Sequence, residues 1–310
     1  MRVAIWTIVA MLGCDRGHPR DQAPAPAAPP PATAAAPRQS CTLTPVPLRY
    51  PAPKRLVAIG DLHGDLAATR AALRTAGAID EHDTWIGGEL VVVQTGDVLD
   101  RGDGEQAIFD LLFSLESQAK AAGGVLILLI GNHELMNAAG DFRYVTQGGA
   151  HDFGDQRVAA LAPGGPYAKK IAAHDVIAIV GDTVFSHAGV LGQWVTRVDE
   201  VNRAARCWLD GQAGGPDEPP PALANDDSPV WTRAAGMATA DCAAIGASLK
   251  DLGAARMVIG HTVQEHGINA ICDDTVWRID VGLAKLYGGP IEVLELTSGA
   301  PPKILHGTRL

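Results

Sequence analysis

Apolar stretches bounded by glycine and polar residues recur along the chain. Lys54–Ile59 reads as a strand and Asp65–Gly77 as a helix. Leu90–Gln94 is an apolar strand, followed by a long helix over Asp103–Ala122. Gly123-Gly124 ends that helix, and Val125–Ile130 is a third, fully apolar strand. This order predicts parallel pairing with helices on the sheet faces. Beyond it, a helix ends near Ile171–Ala173, and Val176–Val180 and Thr183–Ser186 read as strands. Leu191–Leu209 and Thr239–Leu252 read as helices, separated by a Pro/Gly/Asp-rich loop over Gly211–Ser228. Arg256–Ile259, Thr275–Val281 and Ile291–Leu296 are strands, with a last one near Lys303–Leu305. Several late strands lie too close together for helical crossovers. The pattern predicts an α/β fold of two packed, mixed sheets flanked by helices.

Each early strand runs into a polar cluster. The first gives Gly60-Asp61-Leu62-His63-Gly64-Asp65, the second Gly96-Asp97-Val98-Leu99-Asp100-Arg101-Gly102, the third Gly131-Asn132-His133-Glu134. Later strands give Ser186-His187-Ala188-Gly189 and Gly260-His261-Thr262. In open α/β sheets ligands bind outside the carboxyl ends of the strands, so five such ends predict one convergent site. Asp, His and Asn without Cys suit Mn, Fe or Zn in mixed nitrogen and oxygen coordination. A pair of such ions, roughly 3.5–4 Å apart, can activate a bridging water and clamp phosphoryl oxygens.

The series GDLHG, GDVLDRG, GNHE, HAG and GHT, in order over about residues 54–290, resembles the phosphoprotein phosphatase branch of the calcineurin-like metallophosphoesterases. Four further stretches resemble the bacterial Shewanella-like protein phosphatases: Trp85–Gly88, Leu135–Asn137, Ser228–Arg233 and Ile279–Gly282. The resemblance implies the calcineurin-like metallophosphoesterase fold and two divalent metal ions. It assigns Asp61 and His63 to the first ion, Asp97 to both, and Asn132, His187 and His261 to the second. His133 would be the general acid, oriented by Asp100. Arg101 and Arg233 would bind phosphate. The implied reaction is in-line attack by metal-activated water on a phosphomonoester, with no phosphoenzyme. The chain differs from eukaryotic members at Ala188 and Leu99, which leaves the ligands intact, and no regulatory tail is recognised.

Charge and composition then narrow the partners. The formal charge is −10, with aromatics at 5%. Residues 1–50 hold five Arg and two Asp, so the remainder carries −13. That acidity argues against nucleic acid, whose binders show a basic patch. The expected substrate is a phosphorylated protein, a phosphopeptide (Ser/Thr or Tyr) or a small phosphoester. A dinucleoside-polyphosphate or nucleotide hydrolase is the alternative. An inactive tethered binding module would lack a ligand or the acid, and neither is missing.

The front of the chain reads as an address. Arg2 precedes a short apolar run, Val3–Leu12, then Gly13 and Cys14. Ten residues are too few for a spanning helix, which takes roughly 20. Residues 1–14 are expected to be a signal peptide whose Met11-Leu12-Gly13-Cys14 end resembles a lipobox. Residues 15–50 read as a tether, rich in Pro and Ala over 23–37. The metallophosphatase domain is then 51–310. Export to the periplasmic face of a bacterial membrane follows, with a lipid on Cys14. Cys41, Cys207, Cys242 and Cys272 remain for disulfides in three possible connectivities. Because Cys207 and Cys242 flank the Pro/Gly loop, that pair is expected to join. The spacings exclude a zinc-like CxxC site.

Isolated polar residues receive ordinary roles. Asp65 and Asp103 are expected to cap helices, and Glu134 to make structural hydrogen bonds. His82, His151, His174, His266 and His306 are read as surface or core histidines. Trp85, Trp194, Trp208, Trp231 and Trp277 are read as packing residues.

Overall fold

A computed structural model describes residues 41–154 and 156–309. The expected signal peptide, Cys14 and most of the expected tether lie outside them. Strand β1 (Arg49–Tyr50) is followed by β2 (Arg55–Ile59), α1 (Leu66–Thr75), β3 (Val91–Gln94), α2 (Glu105–Ala121) and β4 (Val125–Leu128). Four short helices come next: α3 (Asn132–Ala138), α4 (Gly149–Asp152), α5 (Arg157–Leu161) and α6 (Pro166–Ile171). The second half runs through β5 (Ile177–Val180), β6 (Thr183–Ser186), α7 (Val198–Leu209), α8 (Pro221–Ala224), α9 (Cys242–Leu252), β7 (Arg256–Ile259), β8 (Asn269–Ile271), β9 (Val276–Arg278), β10 (Glu292–Thr297) and β11 (Lys303–His306).

These strands build the two mixed sheets the pattern predicts. One has the order β11-β10-β2-β3-β4, the other β1-β5-β6-β7-β9-β8. Pairing is parallel through β2, β3 and β4, with Leu56 opposite Val91 and Val91 opposite Val125. It is antiparallel from β2 to β10 and from β5 to β6. The central strands are buried on both faces, which is why they read as unbroken apolar runs rather than alternating ones. Residues of both sheets contribute to a single apolar core, and α2 packs against β4.

Local chemistry sets the helix ends. Asp65 caps α1 as expected, accepting from the Ala68 N–H at 3.0 Å. Asp103 does not cap α2. That helix starts at Glu105 behind Gly104, and the Asp103 carboxylate accepts from the Thr146 hydroxyl instead. The stretch expected as one helix from Leu191 is a 3₁₀ turn over Gly192–Arg197 leading into α7. α3 escapes sequence reading because all seven of its residues are buried, so it shows no amphipathic stripe.

The cysteine pairing differs from expectation. Cys41 is bonded to Cys207, and Cys242 to Cys272. Cys207 therefore does not join Cys242. The cause lies in residues 41–50, read as tether, which fold onto the body. Tyr50 pairs with Val180 in β5, and Arg206 on α7 donates to Thr44 O at 2.6 Å. That path brings Cys41 to α7. Among the described residues, no helix is long and apolar enough to cross a membrane.

Candidate metal centre

The five strand ends converge. After β2 the chain turns through Asp61 and His63, after β3 through Asp97, Asp100 and Arg101, and β4 leads into α3 with Asn132 and His133. β6 delivers His187 and β7 delivers His261. Eight of these side chains are buried, and Arg101 is half-buried at the rim. His63, Asp97, Asp100, Arg101 and His261 all adopt left-handed backbone, with φ between 45° and 68°. Such conformations are costly for residues with a side chain and persist only where surroundings enforce them.

The enforcement is visible. The His63 and Leu62 N–H groups both donate to Asp97 O at 3.0 Å. Glu134 accepts from the backbone N–H of Gly131, Asp97 and Val98 at 2.8–2.9 Å and of Leu99 at 3.2 Å. Its role is structural, as expected. Gly131 must lack a side chain, because a Cβ there would lie 2.6 Å from the Asp97 nitrogen and overlap its carboxylate.

Asp97 sits at the centre. Its Oδ2 lies 3.3 Å from His187 Nε2, 3.8 Å from His63 Nε2 and 3.7 Å from His133 Nε2. Two groups of side chains could hold metal ions: His63, Asp97 and His133, and Asp97, His187 and His261. Asp61 Oδ2 is 3.9 Å from His63 Nε2, and Asn132 Oδ1 is 2.8 Å from His187 Nε2, so both reach the same space.

The outer hydrogen bonds fix which nitrogen of each ring faces inward. His63 Nδ1 faces Leu99 O at 3.0 Å, and His187 Nδ1 faces Thr95 O at 2.9 Å. His261 is reversed, with Nε2 on Trp231 O at 3.0 Å and Nδ1 directed at His187. Donation to a carbonyl from the outer nitrogen leaves the inner lone pair for a cation. Burial lowers His63 to a pKa of about 4, and burial with the neighbouring His187 lowers His261 to about 3. Both rings are thus held in the neutral, ligating form. Asp61 is pushed well above the carboxylate range by burial, then by Asp280 and Asp97. Asp97 is held well below it: burial opposes this, but His187, His133 and His63 together prevail. Buried acids facing inward lone pairs form a donor set that suits divalent cations.

His133 stands apart through Asp100. Its Nδ1 bonds Asp100 Oδ2, while its Nε2 faces the centre. Arg101 Nη1 lies 3.1 Å from His63 Nε2 and donates to the Tyr287 hydroxyl. The Arg101 guanidinium stacks between Tyr144 (4.9 Å) and Tyr287 (5.3 Å), both exposed. A groove of about 1100 Å³ opens beside His63 and Arg101. Arg233 is exposed, held by His261 O (2.9 Å) and Thr262 Oγ1 (3.3 Å).

The six expected ligands and the His133–Asp100 pair are thus brought together with Arg101 at the rim, while Arg233 contacts only His261 O and Thr262 Oγ1. Sequence reading missed Asp280, whose buried carboxyl is raised by burial and then by Asp97, and which in turn raises Asp61. It also assigned no role to Tyr144 and Tyr287. The Ile279–Gly282 stretch carries the one signal that could have pointed to Asp280.

The chain is similar to known proteins in sequence and in structure. Residues 54–265 match the calcineurin-like phosphoesterase family. A "Shewanella-like protein phosphatase 2" of Arabidopsis thaliana is 38% identical over 84% of this chain and 80% of its own. A "Shewanella-like protein phosphatase 1" of Plasmodium berghei is 29% identical, over 76% and 69% respectively. A solved cold-active protein-tyrosine phosphatase from a psychrophilic Shewanella species superposes with a TM-score of 0.73, at 26% identity over 84% of this chain and 83% of that one.

Proposed function

The chain belongs to the calcineurin-like metallophosphoesterases, on the branch of the Shewanella-like protein phosphatases, and from that premise we propose that it removes phosphate from phosphotyrosine in proteins or peptides. The observation that carries this reading is the grouping at the groove mouth. Arg101, whose planar fork matches phosphate oxygens, lies between two exposed tyrosine rings and beside the His133–Asp100 pair. Those rings offer exposed aromatic surface beside Arg101 against which a phenyl ester can pack. The related Shewanella structure, described as a protein-tyrosine phosphatase, supports the same choice.

Bound at the two groups of ligands, divalent ions would polarise the phosphoryl group and activate water. Arg101 binds and orients the phosphoryl oxygens, and Arg233 offers a second contact. His133 Nε2 carries the proton delivered to the departing phenolic oxygen. Asp100 Oδ2 holds Nδ1 and so keeps Nε2 directed at the centre.

A panel of phosphotyrosine peptide, phosphoserine peptide and diadenosine polyphosphate, each with Mn, Fe, Zn and Mg, tests this. Phosphotyrosine should turn over fastest. A faster phosphoserine peptide would overturn the tyrosine assignment, and a faster diadenosine polyphosphate the monoester assignment. Export with lipid attachment at Cys14 belongs to the same proposal. It is supported by the Met11–Cys14 pattern and by two disulfides in the body, which persist in oxidising compartments.

A further inference from the structure

Arg157 opens α5, an element with no motif, yet its guanidinium is buried at 5% exposure. It donates to Asn137 Oδ1 from Nε (3.0 Å) and Nη2 (2.7 Å), and to Gly149 O from Nη1 (3.0 Å). It also grips the Glu105 carboxylate, with Nη2 2.9 Å from Oε1 and Nη1 on Oε2. The same Nη2 reaches Asp100 Oδ1 at 3.3 Å. Asn137 donates in turn to Asp100 Oδ1 (3.0 Å) and to the His133 carbonyl (2.9 Å).

Asp100 is consequently held at both ends. Its Oδ1 is taken by Asn137 and Arg157, which leaves Oδ2 for His133 Nδ1. Its backbone N–H, at a left-handed φ of 68°, donates to Glu105 Oε1, and Glu105 is itself fixed by Arg157. The aim of an imidazole's inward nitrogen is set by the partner of the outer one. A carboxylate free to rotate would let the ring tilt, and small misplacements of a reacting group are costly.

We propose that Arg157, acting through Asn137, is a positioning residue for proton delivery by His133. It locks the Asp100 carboxylate in the one rotation that holds the imidazole on the leaving oxygen. This rests on the phosphatase reading above.

The test compares two esters of unequal need for an acid. The 2,4-dinitrophenolate leaves without protonation, whereas phenolate needs it. Arg157→Met strips a buried ion pair and risks misfolding. Asn137→Ala keeps that pair and severs only the amide link, so it keeps the test open. In the full chain loaded with metal, both variants should lose about tenfold or more in kcat on phenyl phosphate. They should lose less than about threefold on 2,4-dinitrophenyl phosphate, with KM and metal content near wild type. Equal losses on the two esters would overturn the positioning role. So would wild-type turnover of phenyl phosphate by Asn137→Ala. Failure of the wild-type protein on both esters with every metal would instead overturn the phosphatase reading, and the positioning role with it.

Discussion

Asp97 and His133 meet twice: the His133 backbone N–H donates to Asp97 Oδ1 at 3.0 Å, and His133 Nε2 lies 3.7 Å from Asp97 Oδ2. The first contact commits Oδ1 to the protein. Oδ2 is therefore the oxygen left to face both groups of candidate ligands. Asp97→Asn keeps the shape but removes the anion common to the two candidate groups. It should lose both metals and at least about 100-fold in activity, since even outer-shell changes cost that much. Elemental analysis together with turnover checks this. Near wild-type turnover with two metals retained would refute the shared oxygen.

His133→Asn separates proton delivery from metal holding. The Asp100 pairing commits Nδ1 to the protein and leaves Nε2 for the proposed proton transfer. Turnover on phenyl phosphate should fall by about 10²–10⁴, with metal content largely kept. His133 also stands within reach of His63 and Asp97. Loss of metal from this variant would make it a ligand rather than an acid.

The candidate ligands were legible because each stands in a glycine-flanked motif at a strand end, where short-range pattern suffices. What they lean on was not. Nothing local marks His63, Asp97 or His261 for left-handed backbone, because Glu134 and the neighbouring loops impose it from a distance. Arg157 and Asn137 lie on short helices, buried at both positions, so neither shows periodicity. The two sheets were legible from unbroken apolar strands. The cysteine pairing was not, since it depends on where residues 41–50 travel, and their Pro-rich approach hides a strand of two residues.

The Cys41–Cys207 bond closes a loop of 166 residues in sequence. A long loop gains much unfolded-state entropy on release. Replacing both cysteines with Ser should cost about 2–4 kcal/mol. Denaturant unfolding of variant and wild type without reductant, which keeps Cys242–Cys272 intact in both, measures it, and an unchanged midpoint would refute the clamp. Neither residue is in the candidate metal groups, so turnover at low temperature should hold.

Cys14→Ser tests the address. If Cys14 carries lipid, the variant expressed in a bacterial host should lose incorporation of labelled fatty acid and leave the membrane fraction. Label retained at the wild-type level would refute attachment at that position. A signal peptide cut nearby would instead give an unlabelled, exported protein in both forms.

Glu116 should set part of the pH dependence of stability. It lies on α2 at a cavity of about 440 Å³ that also meets Tyr50, His174 and Asp175. Burial raises its pKa from 4.5 to about 8. Between those values the folded protein keeps a proton that the unfolded chain releases. Stability therefore falls as pH rises through that window. His174, lowered to about 4 by burial and then Arg206, acts oppositely and loses stability as pH falls from 6.5. Asp175, raised to about 7 by burial against the pull of Arg206, acts like Glu116. Both remain in Glu116→Gln, and because His174 Nδ1 lies 3.4 Å from Glu116 Oε1, the difference between variant and wild type reports that carboxyl together with its contact to His174. That difference in Tm should move in the variant's favour between about pH 5 and about pH 8. Thermal melts at the two pH values measure it, and a difference that stays flat would show that Glu116 ionises at its ordinary pKa in the folded protein.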